Sequence, residues 1–100
     1  MAGLSFSPEA NADLSRLPRQ IALKLLVIFE RWSRRPPISD AIQMSVPNGY
    51  IRRISVEGEY LTVSFLYPFG TTKTLRITCV CTSLTGAIEH DEDQYYDIGE

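Results

Sequence analysis

Histidine is almost missing from this sequence, with one in 100 residues, and cysteine stops at two. That scarcity removes several chemistries at once. A metal centre of ordinary composition needs more His or Cys than the chain holds, and the sequence offers no Ser-His-Asp set, so no metal site and no cofactor is expected. The one histidine, His90, lies in a run of acids and is given no catalytic part. Glycine, at six residues, is not gathered into a phosphate-cradling loop. No catalytic residue is therefore named. Long apolar runs are lacking too: the longest, Ile21 to Phe29, is broken by Lys24 and falls far short of the roughly 20 residues a bilayer span needs. The opening Met1-Ala2-Gly3-Leu4 has neither a basic n-region nor an apolar h-region, so the expectation is a cytoplasmic protein with no membrane partner.

What is present is an uneven charge. Residues 1 to 86 hold all 10 Lys and Arg against 6 acids, a balance of +4, whereas residues 87 to 100 hold 6 acids and no Lys or Arg, a balance of −6. The length suits one domain, read as residues 3 to 86, followed by an acidic and flexible tail, residues 87 to 100. Eight of the ten cations are arginine, which favours bidentate contacts to phosphate or carboxylate over diffuse attraction.

The residue pattern predicts an α+β fold. From Tyr50 to Ser83 the period is two: Leu61, Val63, Phe65 and Tyr67 alternate with Tyr60, Thr62, Ser64 and Leu66, and Leu75, Ile77, Cys79 and Cys81 alternate with Thr74, Arg76, Thr78 and Val80. Glu57-Gly58 and Pro68-Phe69-Gly70-Thr71 supply turns, giving a three-stranded antiparallel meander with one apolar face. Cys79 and Cys81 are expected on that face as buried, reduced thiols. Gly3 to Phe6 reads as a short added strand. Ser7 is a natural N-cap, Pro8 suits the first helical position and Glu9 complements the helix dipole, so a helix starts there. Pro18 ends it and opens a second, about Arg19 to Arg34, in a tight helical hairpin. In the second helix Ile21, Leu25, Ile28, Phe29 and Trp32 form one continuous apolar stripe able to cover the sheet. Residues 38 to 48 read as a loop.

Two surfaces remain as functional candidates. Arg52, Arg53 and Arg76, with Thr62, Ser64 and Thr78, could line a basic, hydroxyl-rich sheet face suited to phosphates or to a protein partner. Leu23, Leu26 and Val27 widen the second helix's apolar arc beyond what one sheet face requires, so they pack on the first helix or offer a ridge to a partner helix or a second copy of the chain.

The order of elements resembles the RelE/ParE toxin superfamily of prokaryotic toxin–antitoxin systems, over about residues 4 to 83. Phe6-Ser7-Pro8-Glu9-Ala10-Asn11-Ala12-Asp13-Leu14 followed by Arg16-Leu17-Pro18-Arg19 is similar to that family's strand-to-helix opening, and Gly49-Tyr50-Ile51-Arg52-Arg53-Ile54 to the start of its second strand. The resemblance implies a small toxin that cuts ribosome-bound messenger RNA or, in the ParE branch, poisons DNA gyrase, with an antitoxin as protein partner. In the RNA-cutting branch, basic residues on the sheet stabilise charge on the scissile phosphate while the ribose 2′-hydroxyl attacks. Arg52 and Arg53 match the family's basic pair by position. The family's usual arginine near Tyr60-Leu61-Thr62 is absent, residues 81 to 86 lack the basic residues and closing aromatic expected there, Arg76 lies too early in its strand, and Tyr95 and Tyr96 come too late. The other reading is a non-catalytic interaction or inhibitor module of the same fold, whose acidic tail binds a basic partner or mimics a nucleic-acid backbone.

Overall fold

A computed structural model describes residues 3 to 82. The flexible tail expected for residues 87 to 100 lies outside the described residues. Strand β1 (Gly3–Phe6) leads into helix α1 (Pro8–Arg16), then α2 (Arg19–Arg34), a two-residue strand β2 (Ile42–Gln43), and the long strands β3 (Gly49–Val56), β4 (Glu59–Leu66) and β5 (Thr74–Thr82). They form one five-stranded sheet in the order β1-β5-β4-β3-β2. No helix among the described residues is long and apolar enough to cross a membrane.

Local chemistry explains the joints. Ser7 does two jobs: its Oγ accepts the Ala10 N–H at 3.0 Å, capping α1, and donates to the Thr78 carbonyl at 2.9 Å, tying that cap to β5. Its own N–H donates to the Ile77 carbonyl, extending the parallel β1–β5 pairing by one residue. Pro18 stands at the start of α2, its carbonyl accepting the Ala22 N–H. Between β3 and β4 both Glu57 (φ 54°) and Gly58 (φ 80°) take positive φ, as a two-residue turn matched to strand twist requires. Residues 38 to 48 are not loop throughout, because Ile42–Gln43 pairs with Ile51 and Tyr50. Two residues are too few to leave a period in the sequence.

Ile21, Leu25, Ile28, Phe29 and Trp32 of α2 all bury against Ile54, Val56, Leu61, Val63, Phe65, Leu75, Ile77 and Val80 of the sheet, and Ala10 joins them from α1. Fully burying side chains of this size stabilises by roughly 1.5–3 kcal/mol each relative to exposure, before the entropy of ordering them. A chain of rings, Phe6–Phe29–Trp32–Phe65–Tyr50, runs through this layer with centroids 5.5 to 6.1 Å apart.

One irregularity corrects the strict alternation. The β4–β5 register shifts between Ser64 and Phe65: Phe65 faces Ile77, but Ser64 faces Cys79, leaving Thr78 as an extra residue in a bulge. Beyond it, Val80 turns into the core, opposite Val63, while Cys79 and Cys81 go to the other face. The expectation of two buried thiols therefore fails: Cys79 is partly exposed and Cys81 exposed.

Candidate functional site

The face of the sheet opposite the core follows from this register. Across the three long strands one row holds Arg53, Thr62 and Cys81, and the next Ile51, Ser64 and Cys79. Further along, Leu66 and Arg76 stand together, with Ser5 of β1 beyond. The Ser64 and Thr78 hydroxyls are 2.7 Å apart across the bulge. Arg76 donates to the Ser5 hydroxyl at 2.6 Å, and its guanidinium lies 4.7 Å from the Phe69 ring centroid, so it is fixed from two sides. Arg53 and Arg76 are separated by two inter-strand spacings, with β4 between them, and by four residues along the strands, roughly 16 Å by strand geometry. They frame a strip of hydroxyls rather than converging on one phosphate.

Arg52 departs from the expected set. It faces Val63 on the helix-covered side, retains 8% exposure, and carries its guanidinium 5.5 Å from the Trp32 ring centroid. Adjacent residues in a strand point to opposite faces, so Arg52 and Arg53 cannot both serve the open one. Arg53, Arg76, Thr62, Ser64 and Thr78 do share it.

On α2 the surplus apolar residues stay uncovered: Leu23 is 50% exposed, Leu26 39% and Val27 43%. Spaced at i, i+3 and i+4, they make one short ridge. Beside it, Lys24 pairs with Glu57 of the β3–β4 turn at 3.0 Å, holding the middle of α2 to the hairpin. The alternative that α1 would cover Leu23 or Val27 does not hold.

A third group of side chains gathers where α1 meets the end of β5. Asp13 of α1 reaches the part of β5 that extends beyond β1, where its Oδ2 accepts the Val80 N–H at 3.0 Å. This carboxylate and the Cys79 and Cys81 sulfurs gather within 4.8 Å of one another. Burial, then the neighbouring Cys81 thiol and the Asp13 charge, push the Cys79 thiol up to about 12.

No protein-family model matches the sequence, and no curated protein matches it significantly. Solved structures do match. The isolated E. coli RelE toxin superposes with a TM-score of 0.69 at 13% identity, over 86% of this chain and 88% of that one. A chain of the intact E. coli RelBE toxin–antitoxin complex gives 0.68 at 13%, over 85% of this chain and all of that one. A chain of the RelBE2 toxin–antitoxin complex from Mycobacterium tuberculosis gives 0.62 at 16%, over 82% and 98%.

The chain has the RelE fold.

Identity this low carries architecture and no residue roles, so the candidate site has to be read from these side chains. Of the expected basic pair on β3, one arginine lies on the open face of the RelE fold and the other beneath it. The grouping of Asp13 with Cys79 and Cys81 has no signature in the sequence, for two reasons. Asp13 is 66 positions from Cys79, and the bulge that turns both thiols outward leaves no mark in a period-two pattern. A Ser-capped helix with an acid facing the last strand was the one available signal.

Proposed function

We propose that this chain is the toxin-like member of a toxin–antitoxin pair, acting on its target through the open sheet face and neutralised by a protein partner that docks on α2. The observation that carries the reading is coverage: the fold spans the whole of a chain taken from the RelBE complex. The ridge of Leu23, Leu26 and Val27 supports the partner assignment, since it suits the apolar face of an amphipathic helix, whose residues recur at the same spacing. Arg53 and Arg76, with Thr62, Ser64 and Thr78 between them, are the groups that would meet an RNA strand or an acidic protein surface. Target binding is favoured over RNA cleavage, because Arg76 is held toward Ser5 and Phe69, on the side away from Arg53, so the two arginines do not converge on a single phosphate.

Expression of the chain in a bacterial host should slow growth, and co-expression of the small protein encoded next to its gene should restore it and co-purify with the chain. Unimpaired growth together with no complex would remove the reading.

A second reading, an interaction module whose own acids cover its basic face, is favoured by the charge division of +4 for residues 1 to 86 and −6 for residues 87 to 100. Truncation after Gly86 separates the two. If the acids shield the arginines, the shortened chain binds RNA more tightly in low salt and the gain fades as salt rises; unchanged affinity discards shielding.

A further inference from the structure

We propose that Asp13, Cys79 and Cys81 form a binding site for a thiophilic divalent cation of the zinc class, at the rim of the open face where α1 meets the end of β5. The three donors lie within 4.8 Å of one another, and the two sulfurs are 3.0 Å apart. They are brought together by separate devices. The bulge at Thr78 sets both thiols on one side of β5, and the hydrogen bond from the Val80 N–H to Asp13 Oδ2 pins the carboxylate against the residue between them.

The donor set fits the ion. Two sulfurs and a carboxylate oxygen prefer zinc or cadmium to the oxygen-loving magnesium and calcium. Tetrahedral zinc, with bonds of about 2.3 Å to sulfur, holds two sulfurs about 3.7 Å apart, so the pair needs to open by less than about 1 Å. Side-chain rotation can supply that, because Cys81 is exposed. On binding, each thiol gives its proton to solvent and each thiolate donates an electron pair to the metal, with no change of oxidation state. Two thiolates and a carboxylate then overbalance the ion by one negative charge. Arg16, 3.2 Å from Asp13 Oδ1, stands where it offsets that excess. A cleft of about 310 Å³, lined by Asp13, Arg16, Leu17, Val80, Cys81 and Thr82, reaches the cluster and leaves room for water as a fourth ligand. Three protein donors and an open position also make a place where an anion could be held beside Thr62 and Ser64.

The test is titration of the reduced, full-length chain with cadmium, followed by ultraviolet sulfur-to-metal charge-transfer absorption. The absorption reports sulfur ligands, so acids and His90 elsewhere in the chain do not contribute. One cadmium per chain, displaced by zinc and not by magnesium, is the expected result. Cys81→Ser should abolish the band, and Asp13→Asn, which keeps an acceptor for the Val80 N–H, should weaken binding at least about tenfold while leaving the circular dichroism of the free protein unchanged. The proposal is overturned if the reduced chain shows no band, if Cys81→Ser retains it, or if one metal joins two chains. It is overturned equally if Asp13→Asn binds as tightly as the parent chain. Growth assays do not enter this test, so it succeeds or fails independently of the toxin reading.

Discussion

Arg52 and Arg53 are chemically identical neighbours, yet one side of the sheet encloses the first and the other displays the second. The covered side is a continuous apolar layer in which α2 contributes Ile21, Leu25, Ile28, Phe29 and Trp32, and the Arg52 guanidinium on that side lies over the Trp32 ring. The open side carries hydroxyls, thiols and two separated arginines, with Ile51 and Leu66 among them. Charge in the sequence is therefore a poor guide to which surface carries function, because parity along the strand decides it.

The two faces differ most sharply at the bulge. Val80→Asp should cost at least about 3 kcal/mol, since it places a carboxylate opposite Val63 in the core. Cys81→Asp, one residue on and on the open face, should cost under about 1 kcal/mol. Urea unfolding of both variants checks the register, and equal losses would mean that Thr78 does not reset it.

Next in size is the arginine pair. Replacing Arg52 with alanine removes packing over Trp32 and should cost about 1–2 kcal/mol, whereas Arg53→Ala should stay within about 0.5 kcal/mol. Thermal denaturation that ranks them the other way would reverse the assignment of faces.

A smaller effect sharpens the open side itself. With its pKa raised from 9.0 to about 12, Cys79 contributes stability that is complete below the unfolded value and lost as pH climbs through the folded one. Near pH 8 it is held as thiol, so iodoacetamide should modify Cys79 at least about tenfold more slowly than the exposed Cys81 in reduced, metal-free protein. Peptide mass spectrometry reads the two rates.

Much of this architecture was legible in the residues. Ser7-Pro8-Glu9 announces a capped helix, Pro18 divides the hairpin, Glu57-Gly58 marks a two-residue turn, and the buried positions of α2 follow its apolar stripe. Each depends on local chemistry within a few positions. The parts that were not legible depend on pairing at a distance: β2 exists only because β3 accepts it, and the outward turn of Cys79 and Cys81 exists only because Ser64 and Phe65 meet residues two apart on β5. The site suffered accordingly. Arg53, Arg76, Thr62, Ser64 and Thr78 share one face, Arg52 lies on the other, and Asp13 meets the two thiols because a fold, not a spacing, brings them together.

In the function proposed above, two surfaces outside the core divide the work, the open sheet face meeting the target and the α2 ridge meeting the partner. Growth of a host expressing the chain, with and without its genetic neighbour, tests that division in two double variants. Arg53→Ala with Arg76→Ala should abolish inhibition while complex formation persists. Leu23→Asp with Val27→Asp should inhibit growth as the parent chain does and resist rescue by the neighbour. Inhibition that survives loss of both arginines, or rescue that survives loss of the ridge, would contradict it.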